Sequence, residues 1–390
     1  MKVLMLLEGE FPPDERVEKE ALTLLNAGYE VEIFALSFKK KTHIEYYKGI
    51  KVYSPLIPKL VYKFFPALLV FPLYYWFRKQ QYRRTVNRFD YGFIHVHDLP
   101  MSRMGFWLKR KCRAKLICDQ HEFYSNWIGR TAHMQTFAGR IILLFSRWNR
   151  YERKYLNRAD TVITVSENLR RIYIKTHGLN ETKVISVPNT PLKKELESLP
   201  PDLGLKGKYK DRFVLFYGGM IDILRGIDLI IKSLPLIRKD IPGVLVVLAG
   251  RIRRGSDPLA VARNYGVEDL VEYVGFLRPD ELRAYIDASS VCFATLPADS
   301  IEINNTIITK IYQYAAASKP ILTGRAEMMR QFVERYNLGM SADEKDPQNI
   351  AETILSMRER LDTFTFNVPA VEMFWEYTSL PLVSLYKQLL

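Results

Sequence analysis

Short apolar runs alternate with amphipathic stretches along nearly the whole chain. Lys2 to Leu7 has no polar interruption after its first residue, which predicts a parallel strand buried on both faces. A loop from Glu8 to Asp14 leads into an amphipathic helix, Glu15 to Asn26, with Gly28 where a helix end needs a left-handed residue. Val31 to Leu36 returns as a strand, so the first forty residues form a βαβ unit. The same alternation continues with strand Phe93 to His97, helix Met104 to Lys111 and strand Ala114 to Asp119. A basic helix ending at Tyr151 to Leu156 and a strand Thr161 to Val165 follow.

Around Pro188-Asn189-Thr190-Pro191 the pattern breaks, and a polar run to Lys210 reads as a linker. It then restarts with strand Phe213 to Tyr217, helix Ile227 to Ile237 and strand Val244 to Ala249. Helix Leu259 to Tyr265, strand Val271 to Val274, helix Pro279 to Ser289 and strand Val291 to Ala294 come next. Helix Thr309 to Ala317 and strand Pro320 to Thr323 complete the second series. The pattern predicts two consecutive α/β domains, each a doubly wound, Rossmann-like sheet, over 1–195 and 205–370.

Length and composition agree with two domains: 390 residues, 48% hydrophobic and 26% charged, suit folded cores of just under about 200 residues each. The net charge of +14 calls for an acidic partner, whether nucleic acid, lipid headgroups or phosphorylated small molecules. No nucleic-acid motif is present, so no nucleic-acid partner is expected. Three cysteines, Cys112, Cys118 and Cys292, fit a reducing compartment rather than a disulfide framework. The N-terminal apolar run is too short for a signal peptide and is followed at once by Glu8 and Glu10, so a cytoplasmic protein is expected.

One segment departs from the alternation. Lys59 to Arg84 mixes aromatic and aliphatic residues with Arg78, Lys79, Arg83 and Arg84, and Lys63, Pro66 and Pro72 interrupt it. It falls short of the about 20 apolar residues of a spanning helix. Its rings and cations suit a peripheral contact with an anionic membrane surface, or alternatively a core helix hairpin of the first domain or a wall of an acceptor cleft.

Candidate chemistry centres on Phe216-Tyr217-Gly218-Gly219-Met220-Ile221-Asp222-Ile223-Leu224-Arg225-Gly226, after a strand and ahead of a helix. Gly218 and Gly219 allow close backbone approach, amides at the helix start attract an anion, and Arg225 supplies a fork for phosphate oxygens. His121 ends a strand of the first domain, where an open sheet binds ligands, flanked by Asp119 and Glu122. His97 and Asp98 end the preceding strand and are candidates to shape an acceptor pocket, with helix capping an alternative for Asp98.

Val271-Glu272-Tyr273-Val274-Gly275-Phe276-Leu277 followed by Pro279-Asp280-Glu281-Leu282 resembles the strand and turn before the donor site of glycosyltransferase family four. Ile311-Tyr312-Gln313-Tyr314-Ala315-Ala316-Ala317-Ser318-Lys319-Pro320-Ile321 resembles its signature helix and turn, and Val187-Pro188-Asn189 its interdomain segment. Pro13-Asp14-Glu15-Arg16-Val17-Glu18-Lys19-Glu20-Ala21 and Asp119-Gln120-His121-Glu122 match a subgroup of these enzymes. Phe374-Trp375-Glu376-Tyr377 resembles the late element whose helix returns to the first domain, here 372–390.

The resemblance implies the GT-B architecture, two Rossmann-like domains facing a cleft, with the donor on the second and the acceptor on the first. It implies transfer from a nucleotide diphosphate sugar to a lipid-linked, polysaccharide or other glycan acceptor, with retention and with neither metal nor cofactor. His121 falls where the family has a histidine that meets the transferred sugar; Asn305, Thr306, Lys310 and Gln313 fall in the donor region with Gly218, Gly219 and Arg225. The sequence departs from the family at Met220, which replaces a cation, at Arg225, which replaces a lysine, and at Asn305 and Gln313, which replace two glutamates. A neutral hydrogen bond from Gln313 in place of a charged one would weaken the donor about tenfold. An epimerase on the same scaffold, or a non-catalytic nucleotide-sugar binder, are the alternatives.

Overall fold

A computed structural model describes residues 1–39, 41–63, 72–124, 145–197 and 200–390. The chain divides into two units, Met1–Pro188 with Ser379–Leu390, and Asn189–Thr378. Part of the Lys59 to Arg84 segment lies outside the described residues.

The first unit is built on eight strands in the order β3-β4-β2-β1-β5-β6-β7-β8. They are β1 Lys2–Glu10, β2 Glu30–Leu36, β3 His43–Tyr47, β4 Ile50–Ser54, β5 Phe93–His97, β6 Lys115–Gln120, β7 Thr161–Thr164 and β8 Val184–Ser186. All neighbours pair in parallel except β3 with β4. Val3, Leu4, Met5 and Leu6 are fully buried, as the uninterrupted run requires of a central strand covered on both faces. The β3–β4 hairpin is an addition that the apolar pattern did not announce. Its turn, Lys48-Gly49, holds both residues at positive φ, the geometry that matches strand twist in a two-residue loop.

Helix α1, Glu15–Asn26, starts where Asp14 accepts the Val17 N–H at 3.1 Å. Its inward face carries Arg16 and Glu20 beside Val17, Ala21 and Leu24, so a charged pair one turn apart faces the sheet. Helices α2 (Leu73–Thr85), α3 (Ser102–Cys112), α4 (Phe145–Leu156) and α5 (Glu167–His177) complete this unit's described helices of eight or more residues before the return. α2 turns Tyr74, Arg78 and Tyr82 inward, and Arg78 pairs with the buried Glu8 at 3.5 Å. Arg78, grouped by the sequence with the lipid-facing cations, is therefore a core residue. The C-terminal helix Leu380–Gln388 packs Tyr386 against Tyr29 and Phe93.

The second unit is a six-stranded, all-parallel sheet in the order β11-β10-β9-β12-β13-β14. Its strands are β9 Phe213–Gly218, β10 Val244–Ala249, β11 Val271–Gly275, β12 Val291–Ala294, β13 Ile321–Thr323 and β14 Gly339–Ser341. Two core clusters line the sheet, one around Phe216, Val247 and Ile311, the other around Leu215, Ile230 and Phe293. In both sheets the chain direction of winding reverses beside the central strand: between β1 and β5 in one, and between β9 and β12 in the other. Ligands of open α/β sheets bind beyond the strand ends at such points.

Candidate donor and acceptor sites

In the first unit, β1, β5 and β6 end together and α1 lays its charged pair over them. Arg16 donates to both Asp119 oxygens, Nε to Oδ2 at 3.0 Å and Nη2 to Oδ1 at 2.9 Å, and to the Val187 carbonyl at 3.0 Å. The same guanidinium lies 2.9 Å from Glu20 Oε1. His121 Nε2 donates to Asp119 Oδ2 at 2.8 Å, and its backbone N–H donates to Asp98 Oδ1 at 3.0 Å. Asp98 itself sits at φ 60 and ψ 167, backbone territory that glycine occupies and other residues enter at about 1–3 kcal/mol. Asp98 makes no side-chain cap on the turn that follows; it holds His121 instead.

His97 lies 3.4 Å from Asp119 Oδ2 and stacks on His95, with ring centroids 4.5 Å apart. His95 in turn meets the Tyr386 hydroxyl through Nδ1 at 2.8 Å. His97 is fully buried, whereas His121 keeps 18% of its side chain exposed. His97, buried with its ring centre 5.5 Å from that of His121, could shape a pocket here only through the position of His121. Glu122 is exposed, and its carbonyl accepts from the Tyr173 hydroxyl at 2.8 Å.

The electrostatics of this cluster separate its members. Burial alone would push the His121 imidazole down, but Asp98 and then Asp119 outweigh it and raise it to about 10. Burial also works against the Asp119 carboxylate, yet Arg16 and His121 hold it well below the usual range. Burial, with Asp119 adding to it, lifts Glu20 to about 8. Burial depresses both His95 and His97, which therefore stay neutral. His121 is thus a fixed cation at neutral pH. It can present charge and a donated proton, and it is a poor base.

Glu20, His95, His97 and Asp119 offer metal-ligand atoms within 4.8 Å of one another. Both Asp119 oxygens, however, already accept from Arg16, and Oδ2 also from His121. Arg16 and His121 already supply this cluster with cations, and both would repel a further one.

In the second unit, β9 ends in Gly218 and continues through Gly219, Met220 and Asp222 to a short turn, Ile223–Arg225, ahead of helix α6, Ile227–Ile237. Gly219 has φ 145, and a Cβ placed there would collide with the Cε and Nζ of Lys310. Lys310 therefore lies directly on the glycine turn. Its Nζ also stands 5.4 Å from the centre of the Tyr217 ring; the Tyr217 hydroxyl donates to the Met220 carbonyl at 3.0 Å, and burial raises its pKa while the nearby Arg225 charge works against that. Tyr217, buried in β9, so has the Lys310 cation over its ring and the Arg225 charge nearby. The sequence placed Tyr217 in the candidate run without giving it a role.

The amides differ from expectation. The Gly218 N–H donates to the Tyr314 hydroxyl at 3.2 Å and the Gly219 N–H to the Ala249 carbonyl at 2.8 Å. Neither is left for a ligand. The amides suited to an anion are those of Ile227 and Asp228 at the very start of α6, since Leu229 and Ile230 already donate to the Gly226 carbonyl at 3.2 and 3.4 Å. Two further cations flank the turn: Arg253 bonds Asp222 at 2.6 Å, and Arg251 stacks on Phe276 at 5.0 Å. Met220 is 49% exposed, so the position of the family's missing cation opens to solvent.

Asn305 and Thr306 close the short helix Ile301–Asn304, bonding the carbonyls of Ile301 and Glu302, each at 2.8 Å. Lys310 and Gln313 lie on helix α7, Thr309–Ala316, with Lys310 in its first turn and Gln313 half-buried. Of the sequence candidates in this unit, the structure gathers Gly218, Gly219, Arg225 and Lys310 around Tyr217.

Residues 16–190 match the model of Glycosyltransferase Family 4, and residues 211–360 match that of Glycosyl transferases group 1. The chain belongs to these glycosyltransferases. Among solved structures the transferase is similar to sucrose-phosphate synthase from Thermosynechococcus elongatus, with TM-score 0.71 and 16% identity over 100% of this chain and 99% of that one. It is similar also to HepE from Anabaena in complex with UDP, with TM-score 0.71 and 14% identity over 100% of both chains. A glycosyltransferase from Rickettsia africae gives TM-score 0.64 and 10% identity over 100% of this chain and 98% of that one. These likenesses establish the GT-B fold, with two Rossmann-like domains. No curated protein matches the transferase in sequence.

Proposed function

We propose that the transferase moves a sugar from a nucleoside diphosphate donor, bound by the second unit, to a glycan or lipid-linked acceptor bound by the first. The observation that carries this reading is the convergence of Lys310 and Arg225 on Tyr217 beside the Gly218-Gly219 turn. Two cations and the start of α6 form a cradle for a leaving diphosphate, and preorganised charge of this kind lowers the barrier to its departure. HepE, which shares the fold, has been captured with UDP and with UDP-glucose, which supports a nucleotide-sugar donor here.

In this reading the bond between the anomeric carbon and the diphosphate oxygen breaks, and the electron pair leaves with the diphosphate. The acceptor hydroxyl oxygen bonds to the anomeric carbon from the same face, and its proton passes to the departing phosphate. The configuration is retained, and side chains and amides supply the charge that a metal supplies elsewhere. His121 contributes a charged N–H toward a sugar hydroxyl; Asp98 stands 3.6 Å from its Nδ1, beyond hydrogen bonding, so that N–H is available to a ligand. Asn305, Thr306 and Gln313 serve as neutral neighbours of the donor.

The test is a transfer assay with uridine, guanosine and adenosine diphosphate sugars against glycan and lipid-linked acceptors, with chelator present. Acceptor-dependent product whose anomeric coupling matches that of the donor is expected. Conversion of the donor sugar without acceptor would support an epimerase instead.

A further inference from the structure

On the first unit, helices α2, α3 and α4 surround a cavity of about 470 Å³. Arg103, Arg110, Lys111, Lys154 and Arg158 line it. Among the described residues no carboxylate lines it, and none of these five cations forms an ion pair at 4.0 Å or less. Lys79 and Arg83 of α2 stand at its edge, over the Trp107 ring at 4.8 and 5.7 Å. Burial, then Arg83 and Lys111, pull the Lys79 ammonium down, so the cations crowd one another. Like charges gathered without acids repel, and an anion seated among them relieves the repulsion.

The rings in this cavity are engaged by the cations. Arg103 lies 4.8 Å from the centre of Tyr75, Arg158 4.8 Å from Phe106, and Lys154 5.7 Å from Tyr155. Single-stranded nucleic acid would need such rings for base stacking. Beside the basic face, the first turn of α2 holds out two apolar side chains, Leu73 at 59% exposure and Trp76 at 64%. Leucine and tryptophan next to lysine and arginine suit the boundary of a bilayer, where the ring sits at headgroup level and the cations meet phosphates.

We propose that this face docks on an anionic phospholipid bilayer, with lipid phosphates in the basic cavity and Leu73 and Trp76 in the headgroup layer. The surface spans three helices rather than the single Lys59 to Arg84 segment. Arg103, Arg110 and Lys111 of α3 and Lys154 of α4 supply charge that the segment alone lacks.

Vesicle flotation of the full chain tests it, with phosphatidylcholine alone or mixed with phosphatidylglycerol. Flotation is expected with the anionic vesicles at low salt and not with the neutral ones. R110E/K111E, at two exposed positions, is expected to weaken binding on the order of a hundredfold while keeping the parent's melting temperature. Should that variant fail to fold, Trp76→Ser provides the second probe and is expected to reduce flotation. Equal binding to neutral vesicles would overturn the proposal, as would binding that neither variant changes. Preference for a single-stranded oligonucleotide or inorganic pyrophosphate over vesicles, with the same dependence on Arg110 and Lys111, would overturn it in favour of a dissolved polyanion. No nucleotide sugar enters the measurement, so its outcome is separate from that of the transfer reading.

Discussion

Four polar groups, from Arg16, His97, His121 and the neighbouring Glu20, converge on Asp119, and the stability of the first unit should register each of them differently. Removing Arg16 leaves the buried Asp119 and Glu20 carboxyls without the guanidinium between them, with His121 as the one remaining cation on Asp119 among the described residues. Arg16→Ala is expected to cost about 3–5 kcal/mol in urea unfolding. A loss near zero would mean that the cluster is solvated. The pH dependence has a definite sign. His121, raised from 6.5 to about 10, contributes stability fully present below pH 6.5 and lost as pH rises toward 10. Glu20, raised from 4.5 to about 8, also loses its contribution as pH rises through that window. His95 and His97, both lowered, contribute above pH 6.5 and lose that contribution as pH falls. Glu20→Gln removes one source of the alkaline loss, so at about pH 9 it is expected to unfold at higher urea than the parent. Coincident pH–stability curves would contradict the assignment.

The strand ends set what the elements can do. β9 delivers Gly219 at φ 145 against Lys310, a conformation and a contact that a methyl group disturbs together. Gly219→Ala is expected to weaken binding of whichever nucleoside diphosphate the parent takes, measured by calorimetry, on the order of tenfold or more by displacing Lys310. Unchanged affinity would detach Lys310 from the donor. The same elements show how far the sequence was legible. Strands buried on both faces, β1, β5, β9 and β10, stand out as apolar runs, and α1 announces itself through Asp14 and its periodicity. The β3–β4 hairpin did not, because His43–Tyr47 mixes polar and aromatic residues and Lys48-Gly49 lacks the usual Asn-Gly or Asp-Gly turn. β14 was hidden in the three residues Gly339–Ser341. In the acceptor-side cluster, His121 could be placed by its strand end alone. Its supporting layer could not, since Arg16 meets Asp119 across 103 residues and His95 meets Tyr386 across 291. No local period encodes such pairs. The glycine amides misled for a related reason: their acceptors, Ala249 and the Tyr314 hydroxyl, come from β10 and α7.

At the scale of the molecule, two sheets of eight and six strands each bring chemistry to the strand ends beside their own point of reversal. The first collects a buried ion network under one partly exposed histidine, and the second collects lysine and arginine around a tyrosine and a glycine turn. The charge of +14 has two destinations in this account, a diphosphate on the second unit and a phospholipid surface on the first. In the proposed reading, Met220, Asn305 and Gln313 leave the charge for donor binding to Arg225, Lys310 and the start of α6. Calorimetric titration of the whole chain with uridine, guanosine and adenosine diphosphates, in the presence of chelator, tests that reading most directly. Binding of one of the three without metal is expected, reduced on the order of a hundredfold in both Lys310→Ala and Arg225→Ala, each a lost charged hydrogen bond to phosphate. No heat with any of the three, or binding by both variants as tight as the parent's, would contradict the central claim.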